Sequence, residues 1–172
     1  MTDLIAYAPR IVAAAIVGLG LMVLAMQGSP GERVSAMERN RALAAAGLRA
    51  WAEGTGSPFD LLTDGARWTI TGNSLVAKTY PSKDAFISEV IAPLNARMRE
   101  RLVPRIRHLY AEGDTVVALF DARGVALDGK PYADSHAWIL RFKDGRIVEA
   151  HAFFDAVAFD DLWMRVIPPS IN

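Results

Sequence analysis

The sequence predicts an α+β domain in which a curved, mixed or antiparallel sheet wraps over helices. Three observations carry that expectation. From Tyr132 the residues alternate: Tyr132, Asp134, His136, Trp138, Leu140 and Phe142 share one face of a strand, while Ser135, Ala137, Ile139 and Arg141 share the other. Lys143-Asp144-Gly145-Arg146 supplies a turn, and Ile147 to Phe154 runs back as the second strand of a hairpin. The coarse order of span, linker, helix, short helix, two strands, helix, four strands and a terminal helix is that of an α+β domain.

The elements follow in chain order. Ile11 to Met26 carries no charge, and with Leu4 to Pro9 in front the apolar stretch reaches about 23 residues, broken only by Arg10. A bilayer needs ~20. Residues 1–27 are therefore expected to hold one transmembrane helix, a single-pass anchor through residues 4–26, with a cleaved signal peptide or a buried helix as the rival readings. Arg33, Arg39, Arg41 and Arg49 follow the span and favour a cytoplasmic domain by the positive-inside rule. Residues 28–34, rich in Gly, Ser and Pro, read as a linker, and residues 35–172 as the folded domain.

Within that domain Ser35 is expected to cap a helix that ends at Gly54, with Trp51 in the core. Phe59 to Gly65 reads as a short helical turn leading into a strand, Ala66 to Thr71, whose Trp68 and Ile70 point one way. Leu75 to Tyr80 is expected to be a second strand. Ser82 caps a helix reaching Leu102, which Pro93 must kink or divide. The strands 106–110 and 115–122 lead to the hairpin, and Asp155 stands at the start of a closing helix.

Composition narrows the function. The 172 residues are 52% hydrophobic, enough for one core, and the 19 basic and 19 acidic residues cancel, so no global charge favours nucleic acid. Absence of cysteine excludes disulfides and thiolate metal sites. The histidines at 108, 136 and 151 do not have zinc spacing, so neither a metal nor another cofactor is expected. The arginines at 97, 99, 101, 105 and 107 read as a solvated face, or as a contact to anionic headgroups if the span is retained.

Three pieces of sequence in order, Trp68-Thr69-Ile70-Thr71-Gly72, Glu112-Gly113-Asp114-Thr115-Val116-Val117 and Asp144-Gly145-Arg146-Ile147 followed by Phe153-Phe154-Asp155, give the chain a family resemblance. From Arg41 to Val166 it resembles the SnoaL-like or ketosteroid-isomerase-like branch of the nuclear-transport-factor-2-like superfamily. The resemblance implies a cone-shaped fold that hosts isomerases, cyclases, dehydratases, epoxide hydrolases and non-catalytic binding modules. Against the limonene-epoxide-hydrolase type, Asp134 and His136 fall on pocket-lining positions, the catalytic aspartate falls on Ala152, and only Asp121 remains of an upstream Arg-x-Asp pair.

Asp134 and His136, two apart on one strand, are the catalytic candidates, because a carboxylate beside an imidazole orients it as an acid/base group near neutral pH. Trp68, Tyr132, Trp138, Ala152 and Phe154 are the candidate ligand-binding residues. Tyr110 and Tyr132 are candidate donors to a carbonyl oxygen. His151 is opposite in parity to Ala150 and Ala152, so it is expected on the convex face. Two functions fit: a membrane-anchored domain binding a small hydrophobic molecule, with acid/base chemistry on it, or a non-catalytic module whose convex sheet face pairs with a second copy or a protein partner.

Overall fold

A computed structural model describes residues 29–168 of the chain, so the expected span at residues 4–26 lies outside the described residues. Among the described residues no helix is long and apolar enough to cross a membrane. The chain divides into two compact units, Met1–Ser35 and Ala36–Asn172. In the first, Ser29 and Glu32 cap each other: the Ser29 N–H donates to Glu32 Oε2 at 2.7 Å and the Glu32 N–H to Ser29 Oγ at 3.2 Å. Helix α1 (Pro30–Glu53) therefore starts before Ser35. Pro30 breaks nothing there, since proline suits a first helical position.

In the second unit α1 ends at Gly54, where the Thr55 N–H reaches Ala50 O and the Gly54 N–H reaches Trp51 O, as the sequence predicts. A 3₁₀ turn, Pro58–Leu61, follows, held by the Ser57 and Asp60 caps. Strand β1 (Leu62–Ile70) puts Ala66, Trp68 and Ile70 into the core.

Two expectations fail beyond it. The second strand is only β2 (Thr79–Tyr80), because Asp160 takes the Ser74 hydroxyl at 2.6 Å and the Leu75 N–H, folding residues 74–77 into turns. The next helix stops at Asn95, not Leu102. It runs as α2 (Lys83–Phe86), a π turn (Ile87–Ile91) and α3 (Ala92–Asn95), with Ser82 capping as expected. The π turn sends the Ala92 N–H back to Ile87 O just ahead of Pro93, which spreads the proline's disruption over a turn. Residues 98–102 then pair with a neighbouring strand, and sheet pairing overrides their helical tendency.

The remaining strands are β3 (Met98–Glu112), β4 (Thr115–Ala126), β5 (Pro131–Lys143) and β6 (Arg146–Phe154), closed by α4 (Ala156–Arg165). The sheet order is β2-β1-β6-β5-β4-β3, and β1 runs parallel to β6 while all other neighbours are antiparallel. The expected hairpin is β5–β6, turning through Asp144 and Gly145 at φ 52 and 75. Bulges along β3 and before Phe142 bend the sheet. At one of them Gly124 lets the strands close in, since a Cβ there would meet Glu100 O at 2.8 Å. Ala118, Ala122, Ala150 and Ala152 on the inner face leave room for Trp138, Phe120 and the helices packed across them.

Candidate functional site

A cavity of about 490 Å³ lies between the inner face of the sheet and the helices. Its wall is mostly apolar and rich in rings, and the elements above explain their positions. Alternation on β5 delivers Tyr132, His136 and Trp138. Ala152 on β6 pairs with Trp138 on one side and Ile70 on the other. The Ser57 cap, whose Oγ accepts the Phe59 N–H at 3.1 Å, aims Phe59 inward. Trp68 stacks on Phe86 at 4.3 Å between centroids and meets Trp138 edge-on at 5.0 Å. Such contacts add to the burial energy of large rings and hold the wall in one geometry.

Asp134 does not line the cavity. Its side chain is fully buried behind the wall, where Oδ2 accepts the Tyr132 hydroxyl at 2.8 Å and Oδ1 accepts the Asp155 N–H at 2.9 Å. Asp155 in turn caps α4 by accepting the Val157 and Ala158 N–H groups. Asp134 thereby ties β5 to the start of α4, which brings Phe159 to the cavity. Burial, then the Asp134 charge, push the Tyr132 phenol far above its ordinary range, so it stays a hydroxyl and keeps donating.

His136 puts an imidazole into the buried part of the wall. Its ring stacks on Phe120 at 4.7 Å, with Trp138 and Phe154 about it, and neither ring nitrogen has a protein hydrogen-bond partner. Asp134 Oδ2 stands 3.9 Å from Nε2, too far for a hydrogen bond. Burial pushes the imidazole below its ordinary pKa, outweighing the opposite pull of the Asp134 and Asp121 carboxylates. The ring is accordingly neutral at neutral pH, with one nitrogen able to accept a proton. The Trp68 indole N–H is also buried without a partner.

All five expected ligand-binding residues, Trp68, Tyr132, Trp138, Ala152 and Phe154, line the cavity. Of the catalytic pair, His136 lines it and Asp134 supports from behind. The Tyr132 hydroxyl is committed to Asp134, and Tyr110 lies on β3 away from the cavity, 56% exposed, so neither donates into it. His151 lies outward beside Glu149, and Asp121 holds Arg105 and Ser135 on the outer face. Sequence reasoning missed Phe59, Phe86 and Phe159 from the helical side, together with Arg99 and Arg101 where the cavity opens. The helical spacing of Phe86, Val90 and Leu94 was a signal for an inward face, but nothing local says which part of the sheet that face meets.

The family model described as a SnoaL-like domain matches residues 40–150. No curated protein matches the chain by sequence. Solved structures share its fold at low identity. Bal32a, from a soil-derived mobile gene cassette, is 20% identical over 74% of this chain and 98% of its own, with a TM-score of 0.63. An NTF2-like protein of Burkholderia thailandensis E264 is 21% identical over 73% and 97%, at 0.60. TerC, crystallised with polyporic acid, is 19% identical over 73% and 98%, at 0.58.

Proposed function

The chain belongs to the SnoaL-like domain family, and from that premise we propose that its cavity binds a small, largely apolar ligand on which His136 acts as the acid/base group. The observation that carries the reading is the unpartnered imidazole in a wall built mainly of aromatic and aliphatic side chains. A buried polar group without a partner costs about 1–3 kcal/mol, and a ligand that bonds to it offsets that cost. A neutral imidazole is already in the form of a base. Beside a bound carbonyl compound it takes a proton from the adjacent carbon, and Asp134 at 3.9 Å stabilises the imidazolium that forms. Return of the proton to another atom is isomerisation, departure of a neighbouring hydroxyl with that proton as water is dehydration, and attack of the enolate carbon on a second carbonyl, whose oxygen takes the proton, is ring closure. A protein of the same fold, TerC, is crystallised with polyporic acid, which supports a flat ring system as the ligand body.

The test is deuterium exchange at the carbon beside the carbonyl of 1-tetralone, followed by NMR with the full-length chain. Exchange is expected above the buffer rate and to fall by roughly 10²-fold or more in His136→Gln, the usual contribution of a positioned base. Equal exchange in both proteins sinks the catalytic role.

The proposal extends to the apolar run at residues 4–26 as a membrane anchor with the domain on the cytoplasmic side, supported by the basic residues that follow it. Retention in carbonate-washed membranes is expected, and release on deletion of residues 1–27. A full chain washed off by carbonate refutes the anchor. A second reading, a non-catalytic assembly module, draws on Ile139 and Phe153, which are 37% and 42% exposed on the outer face. Absence of ligand binding would favour it.

A further inference from the structure

Charge is distributed unevenly around the cavity. The interior surface is aromatic and aliphatic, while the exposed lining residues that mark its opening include Arg99, Arg101 and Asn95. No aspartate or glutamate lines it. Arg101 is held in place: its two terminal nitrogens donate to Trp51 O at 2.7 Å and Ala52 O at 2.8 Å, the last carbonyls of α1. Those carbonyls engage two of its five N–H donors, and no carboxylate among the described residues neutralises its charge. Arg99 has one ionic neighbour, Glu100 at 3.7 Å, and both side chains are more than half exposed. So long and so exposed a pair leaves the Arg99 fork available.

We propose that the ligand has two ends, a flat apolar body among Trp68, Phe86 and Trp138, and a single carboxylate at the opening held by Arg99. The inference rests on the ligand-binding reading of the same cavity and adds the chemical class of the ligand. A carboxylate fits better than a phosphate because one guanidinium fork is free, and its two parallel N–H groups match the two oxygens of one carboxylate. A phosphate dianion needs further donors, and both terminal nitrogens of Arg101 are already turned to the α1 carbonyls. The wall at His136 repels an anion, since the buried Asp134 carboxylate lies 3.9 Å from His136 Nε2. An acid therefore enters body first, leaving its charge between Arg99 and the Asn95 amide while its ring system reaches His136. Arg101 adds a fixed positive field there without taking a bond.

The experiment compares anthracene-2-carboxylate with its methyl ester on the full-length chain, reading energy transfer from the cavity tryptophans. The acid is expected to bind at least about tenfold more tightly than the ester, the effect of one charge-assisted contact. Arg99→Met is expected to bring the acid to within about twofold of the ester and to leave the ester unchanged, because the Met side chain keeps the apolar stem and removes only the fork. Arg99 is exposed and supports no buried group, so the fold is retained in that variant. Equal binding of acid and ester in the wild type, or a preference that survives Arg99→Met, overturns the anion site and leaves the cavity reading intact. Failure of both probes to bind overturns the cavity reading and this inference together.

Discussion

His136 and His151 stand on neighbouring strands of one hairpin, yet they meet different physics because they point to opposite faces. His136 is packed between Phe120, Trp138 and Phe154 with no protein partner for either nitrogen. His151 is 45% exposed and lies 3.9 Å from Glu149, in a cluster where Glu149 also accepts from Arg67 and Arg141. The same contrast separates the carboxylates. Asp134 is enclosed and satisfied by two neutral donors, whereas Glu149 is held below the usual carboxylate range by the Arg141 hydrogen bond first and the nearby charges after it. Inside, each polar group is costly to leave unpaired and few exist. Outside, water replaces any partner that is lost.

The largest expected effect breaks that contrast at its inner member. Asp134→Ala strands the Tyr132 hydroxyl and the Asp155 N–H, both buried or partly so, and is expected to cost about 2–4 kcal/mol in urea-unfolding stability, two unmet donors at ~1–3 each with partial relaxation. Glu149→Ala on the outer face is expected to cost at most about 1 kcal/mol, because its arginine partners are half exposed and water takes its place. Comparable losses in the two variants would show that the faces do not differ in the way proposed.

That division between faces was legible in the sequence wherever it depended on alternation. Period two on β5 put Tyr132, His136 and Trp138 inward with Asp134, and parity put His151 outward. The Asp144-Gly145 turn fixed the hairpin because both positions require positive φ. Legibility failed where a long-range partner decided. Residues 98–102 have a helical composition, and only the pairing with β4 makes them a strand. Leu75 and Val76 alternate like a strand until Asp160, far along the chain, collects the backbone donor. Arg99 and Arg101 read as members of a solvated run because their placement at the opening depends on where α1 ends, as the bonds from Arg101 to Trp51 and Ala52 show. Asp134 showed its face but not its role, since satisfaction by Tyr132 and Asp155 cannot be read from spacing alone.

The contrast between the histidines predicts a smaller effect that is specific to pH. In the unfolded chain His136 takes up a proton near its ordinary pKa of 6.5, whereas in the fold burial holds it neutral to lower pH. Below about pH 6.5 the unfolded state therefore binds more protons, so stability rises with pH in that window and is lost as the solution is acidified, by at most ~1.4 kcal/mol per pH unit for one site. His136→Phe keeps a ring against Phe120 and removes the proton site. Its stability between about pH 5 and 6.5 is expected to fall less steeply than that of the wild type, with the two curves parallel above pH 7. The measurement is urea unfolding at a series of pH values. Identical acid slopes in the two proteins would mean that the folded His136 accepts a proton as readily as the unfolded one, with Asp134 at 3.9 Å outweighing burial. The base role at neutral pH would survive that outcome, since an imidazole of ordinary proton affinity is still mostly neutral at pH 7, and the claim that burial sets the protonation of His136 would fail.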